Sequence, residues 1–293
     1  MIVAKICGGL GNQMFQYAAG YALSKLHKTQ LYLDLHELAH DSLRDYSLGV
    51  FNIGASVASD EQITSLTKYK VSKFGNKLDK IVSKIGFRYY RNYYRERYFS
   101  YDSEFLRLPD DVLIDGYWQS EKYFSTCRDE LLSKFKITDG LSGDAHAMLE
   151  DIINCKDVTV SIHVRRGDYI SDSTANKVHG TCSVEYYENA MNFIEARYQN
   201  IKYVLFSDDI EWVLSNLKIH RPYMVVSSEN IADYEDMMLM SSCDHQIIAN
   251  SSFSWWGAWL NPNKEKIVIS PEKWFSSGDK DTADLIPLEW IKL

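Results

Sequence analysis

At 293 residues, with 45% hydrophobic and 25% charged side chains, the chain can bury one large or two medium cores, which excludes a disordered or disulfide-stapled protein. A formal net charge of −8 argues against general nucleic-acid binding, and no stretch approaches the roughly 20 apolar residues that span a bilayer. Five scattered cysteines, Cys7, Cys127, Cys155, Cys182 and Cys243, form no Cys-x-x-Cys pair and cannot all pair within one chain, which suits a reducing compartment.

Residues 2–7 read as a strand, too short for a signal-peptide core, so a cytosolic protein is expected. Residues 12–27 read as a helix with Phe15, Ala18, Ala19, Ala22, Leu23 and Leu26 on its apolar side, and residues 30–35 as a second strand, which completes a βαβ unit. The turn between them, Cys7-Gly8-Gly9-Leu10-Gly11-Asn12-Gln13, followed by Asp34, is also how a dinucleotide oxidoreductase begins. Against that, Met14 stands where the third glycine would permit close helix packing. A tight turn into a helix explains Gly8, Gly9 and Gly11 equally well.

Residues 68–99 form a basic island of net +8, interleaved with aromatic residues, which leaves −16 for the remainder. Val71, Phe74, Leu78, Ile81, Val82 and Ile85 give it the spacing of an amphipathic helix with a lysine-rich outer face. A solvated helix packed on its domain accounts for this; contact with an anionic membrane surface is the sharper alternative. Gly116-Tyr117-Trp118-Gln119-Ser120 follows, where Trp118 and Gln119 suit either a sugar platform or a buried core. The polar stretch 138–144 and the helix after it, to Cys155, mark the junction between two domains, 1–150 and 151–293.

In the second half, strands at 158–164, 202–207, 223–227, 245–249 and 266–270 alternate with helices near 183–198, 209–217, 233–241 and 254–259, a Rossmann-like pattern. The first of these strands breaks into His163-Val164-Arg165-Arg166-Gly167-Asp168, delivering two guanidiniums to its carboxyl end, where open α/β sheets bind ligands. That placement suits an anionic ligand; surface salt bridges for Arg165 and Arg166 and a core position for His163 are the plain alternatives. Asp208-Asp209 could chelate a divalent ion, or one of them could cap the helix near Glu211. Ser251 and Ser252, with Phe253, begin a helix, where they suit either phosphate binding or an ordinary N-cap. Trp255, Trp256 and Trp259 read as core.

Taken in order, the glycine turn, Gly116 to Phe124, the arginine heptad, Phe206-Ser207-Asp208-Asp209 and Asn250-Ser251-Ser252-Phe253-Ser254-Trp255-Trp256-Gly257 resemble the blocks of the inverting GDP-fucose-dependent fucosyltransferases. The α-1,2-fucosyltransferases of bacteria and animals are the nearest in pattern; lack of an anchor before the catalytic region points to the bacterial branch. The resemblance implies an α/β, GT-B-like fold of two Rossmann-like domains facing a cleft, with an acceptor-side first domain and a second that binds GDP-fucose. It implies transfer of L-fucose to the 2-hydroxyl of a terminal galactose in a surface or lipid-linked glycan such as an O-antigen, with no metal and no cofactor besides the donor.

By the same resemblance Arg165 contacts the diphosphate, Arg166 either supports it or pairs with an acid, His163 meets the guanine or ribose, and Asn12 reaches the sugar or pyrophosphate. Asp236 matches the carboxylate that reads guanine, and Ser251, Ser252 and Phe253 complete the donor site. The general base stays open among Asp172, Asp115 and His179, with Asp168 expected to brace the arginine loop. An oxidoreductase and a non-catalytic nucleotide- or glycan-binding module are the alternative functions.

Overall fold

The computed structural model describes residues 1–67, 89–90, 92–167, 180–226, 230–276 and 280–293. The amphipathic helix expected over 71–85, with most of the basic island, lies outside the described residues, as do Asp168, Asp172 and His179. Contacts divide the chain into two compact units, Met1–Lys136 with Asp281–Leu285, and Ile137–Lys280 with Ile286–Leu293. A boundary at residue 150 would cut through helix α4 (Gly143–Ile153), whose Ala145 and Ile152 pack into the second unit's core.

The first unit holds β1 (Ile2–Lys5), α1 (Leu10–His27), β2 (Leu31–Asp34), β3 (Ser56–Val57), α2 (Asp60–Thr67), β4 (Tyr89–Tyr90), β5 (Tyr93–Arg95), β6 (Val112–Asp115) and α3 (Arg128–Lys134). Its sheet runs β3-β2-β1-β6-β5-β4, parallel except for the β4–β5 pair. Helix α1 is buried nearly all round, not on one side only: Gln13, Gln16 and Gly20 are inside, whereas Leu26 is exposed. Close approach of helix to sheet occurs at Gly20, where an added Cβ would lie 2.9 Å from both Ala4 Cβ and Leu31 Cδ1. Gly20→Val is therefore expected to destabilise the fold by ~3 kcal/mol through overpacking, read as a lowered denaturation midpoint with unchanged m-value.

The second unit begins with α4 and continues through β7 (Val158–Val164), α5 (Val184–Glu195), β8 (Ile201–Ser207), α6 (Ile210–Asn216), β9 (Tyr223–Val225), α7 (Asp233–Ser242), β10 (His245–Ile247), α8 (Ser252–Trp259), β11 (Val268–Ser270) and β12 (Ile291–Lys292). All its strands pair in parallel, in the order β12-β11-β10-β7-β8-β9. Parallel strands covered on both faces are apolar throughout, and here successive residues supply two cores. Val160, Ile162, Val164, Tyr203 and Leu205 join one with α5, while Val204 and Phe206 join the other with α4 and α7. The alternation puts His163, in register with Phe206, on the α7 face.

Candidate donor and acceptor sites

In each sheet the strand order reverses beside a central strand, and in open α/β sheets ligands bind past the carboxyl ends of strands at such a switch point. In the second unit it lies between β7 and β10. His163 near the end of β7 and Phe253 after β10 meet there, ring centroids 5.5 Å apart. Ser251 caps α8, its hydroxyl accepting from the Phe253 N–H at 3.3 Å; Ser252 and Phe253 follow, half-buried. Asn250, the first residue of the last sequence block, fixes this turn by donating to the carbonyls of Gly180 at 3.1 Å and Trp274 at 3.2 Å.

Beyond β7, Arg165 Nη1 lies 3.1 Å from Asp208 Oδ2. Asp208 also accepts from the backbone N–H groups of Arg166 at 2.8 Å and Gly167 at 2.9 Å. Its carboxylate holds the arginine turn in shape, the bracing role expected of Asp168. Arg166 lies 3.2 Å from Asp209 and stacks 3.7 Å above the Trp212 ring, an arrangement that anchors the turn. Asp209 caps α6 by accepting from Trp212 N–H at 3.1 Å. Donors reach every oxygen of Asp208 and Asp209, so the pair serves here as a brace for the arginine turn and a cap for α6.

His163 Nδ1 and Asp236 Oδ1 are among the buried side-chain polar atoms that find no hydrogen-bond partner in the described residues. Such atoms cost free energy unless a ligand completes them. Burial and then the charge of Arg165 push the His163 pKa down to about 3, so the imidazole is neutral at any working pH. Asp236 sits in the first turn of α7, which Glu235 anchors by accepting from Ala232 N–H at 2.9 Å and Ser142 N–H at 2.5 Å. Burial, then the charges of Asp233 and Glu235, push Asp236 up to about 7.

The first unit's switch point lies between β1 and β6. Gly8, at φ +74, turns the chain after β1. Gln119 after β6 donates to Asn12 Oδ1 at 2.7 Å, so the first and second sequence blocks meet. Two glutamines that the sequence reading missed secure the turn. Gln13 donates to the carbonyls of Gly8 and Asp45, both at 2.8 Å, and Gln16 accepts from Cys7 N–H at 2.9 Å. Their signal was polarity at positions inside the apolar pattern of α1.

Trp118 is not a platform: it is wholly buried, stacked on Tyr94 and edge-on to Tyr123. Its φ of +54 is costly for a bulky residue, on the order of 1–3 kcal/mol, and this burial holds it there. The neighbouring Tyr117 is the exposed ring. Asp115, one of the base candidates, is occupied by the Tyr93 hydroxyl, with Lys5 at 3.6 Å. Trp255, Trp256 and Trp259 are core, as expected.

Two α/β units with largely parallel sheets, one bearing a braced arginine turn at its switch point, match the architecture of a GT-B-like glycosyltransferase. The chain belongs to glycosyl transferase family 11, whose model matches residues 2–293. It is 34% identical over 296 residues to an alpha-1,2-colitosyltransferase of Escherichia coli, covering 100% of this chain and 99% of that protein. To the O-antigen biosynthesis glycosyltransferase WbnK of Escherichia coli it is 36% identical, covering 98% and 99%. Galactoside alpha-(1,2)-fucosyltransferase 1 of Ateles belzebuth is 24% identical, over 97% of this chain and 72% of that one. The fold resembles that of the fucosyltransferase NodZ from Bradyrhizobium, with a TM-score of 0.52 at 14% identity, over 89% of this chain and 92% of that one. The oxidoreductase alternative finds no support: Met14 is fully buried where that fingerprint needs a glycine, and the close approach lies at Gly20. No helix among the described residues is long and apolar enough to cross a membrane.

Proposed function

We propose that this transferase moves L-fucose from GDP-fucose, with inversion and without a metal or further cofactor, to the 2-hydroxyl of a terminal galactose in a cytoplasmic, lipid-linked precursor of a surface glycan. The observation that carries the reading is the switch point of the second unit, where a braced guanidinium, a neutral imidazole whose buried Nδ1 has no partner in the described residues, and a capped helix start gather. Breaking the anomeric carbon–oxygen bond puts positive charge on the sugar and negative charge on the departing diphosphate. A fixed cation stabilises that change more than it stabilises the ground state.

In this reading Arg165 takes the diphosphate, Asp236 accepts from the guanine N1–H and amino group, His163 meets the base or ribose, and Ser252 and Phe253 border the phosphates at the α8 start. Asn12, held by Gln119, serves the sugar side. Arg166 shapes the turn. Contact of the basic island 68–99 with anionic lipid belongs to the same proposal.

A second donor, GDP-colitose, is favoured by the 34% identity to a colitosyltransferase. Colitose is fucose without its 3-hydroxyl, so the nucleotide contacts are the same and only the sugar pocket differs. The test is GDP release from each donor with EDTA present, with and without lactose. Lactose-stimulated release from GDP-fucose, with a 2-linked product by NMR, is the expected result; release from GDP-colitose alone would assign the other donor, and none from either would overturn the reading.

A further inference from the structure

We infer that Tyr117 is the surface on which the acceptor sugar stacks, an assignment that rests on the transferase reading above. The ring stands at the carboxyl end of β6, at the switch point of the first unit, where an open parallel sheet receives a ligand. It is 44% exposed, whereas Trp118, next in sequence, is 0% exposed.

The surrounding backbone is built to hold the ring outward. Glu96 accepts from the Tyr117 N–H at 2.8 Å and the Trp118 N–H at 3.0 Å, so one carboxylate fixes two successive peptides. Gly116 permits this, because a Cβ there would come within 2.4 Å of Glu96 Cβ. Trp118, left-handed at φ +54 and sealed among Tyr94, Phe105 and Tyr123, turns its own side chain inward and its neighbour's outward.

A tyrosine fixed in this way offers a flat apolar face with little rotamer entropy left to lose, which suits the C–H face of a galactose ring. Burial first, and then the charges of Cys7, Glu37 and Glu96, raise the phenol pKa above its ordinary value, so the ring is neutral at working pH.

The test compares wild type, Tyr117→Ala and Tyr117→Phe with GDP-fucose and lactose. In Tyr117→Ala the lactose KM is expected to rise roughly three- to tenfold. GDP affinity, donor hydrolysis without acceptor, and the melting temperature should stay at wild-type values, and Tyr117→Phe should restore the KM. Saturation-transfer NMR of lactose on the GDP-loaded protein, which needs no turnover, should show the sugar on wild type and Tyr117→Phe and lose it in Tyr117→Ala. An unchanged KM and unchanged NMR signal in Tyr117→Ala would overturn the assignment while leaving transfer intact. Failure of the transferase reading shows differently, as absence of lactose-stimulated GDP release in the wild type.

Discussion

Arg165→Ala is expected to slow GDP release at saturating donor by roughly 10²–10³-fold while weakening GDP binding far less. The asymmetry follows from when the charge appears: the diphosphate gains negative charge as the sugar leaves, so a guanidinium placed there acts mainly in the transition state. Arg165→Lys should recover only part of the loss, because an ammonium keeps the charge but not the planar fork that Asp208 orients at 3.1 Å. Arg166→Ala should cost less in rate, since that guanidinium already stacks on Trp212 and pairs with Asp209. Single-turnover measurements with each variant separate binding from chemistry. A rise in KM with unchanged kcat for Arg165→Ala, or a larger rate loss in Arg166→Ala, would reverse the roles.

GDP affinity is expected to fall about tenfold per pH unit below pH 7 and to level off above it. Asp236 is pushed up to about 7 by burial and by the charges of Asp233 and Glu235, and only the carboxylate form accepts two hydrogen bonds from the guanine edge. In the proposed site GDP would supply those donors, lower the pKa and release a proton near neutrality. The same shift acts oppositely on the unliganded fold. A carboxyl with a raised folded pKa binds more protons folded than unfolded, so its contribution to stability declines as pH rises from about 4 to 7. Asp236→Asn should therefore melt higher than wild type at pH 8 without GDP, match it near pH 4, lose the pH dependence of GDP binding and weaken that binding about 100-fold. Titration calorimetry across pH 6–8, in buffers of different ionisation enthalpy, reads both affinity and proton release; an affinity flat over that range would remove Asp236 from the base contact.

The elements that were legible in the sequence are those whose pattern is local. β7 occupies the expected residues, 158–164, because a β-branched run ending in a polar turn has one reading, and Ser183 and Asp209 cap their helices where the sequence places helix starts. β5 and β6 escaped notice, being only three and four residues long, with the first made of tyrosines and an arginine. Trp118 and Tyr117 show the limit at a single residue: composition marks both as aromatic, and the left-handed turn at Trp118 decides which faces out. Asp208 was visible as an acid after a strand, but its role depends on parallel pairing with β7, which brings it beside Arg165 and Gly167.

The sequence by itself determined the βα alternation, the arginine-bearing strand end and the order of the blocks that mark the family, since each is written in neighbouring residues. Strand order was decided only by the tertiary structure. β7 lies between β8 and β10, and β1 between β2 and β6, because each parallel strand must bury both faces and satisfy its backbone against partners far away in the chain. That order creates the two switch points, and these bring His163 to Phe253 and Asn12 to Gln119 across long stretches of intervening sequence.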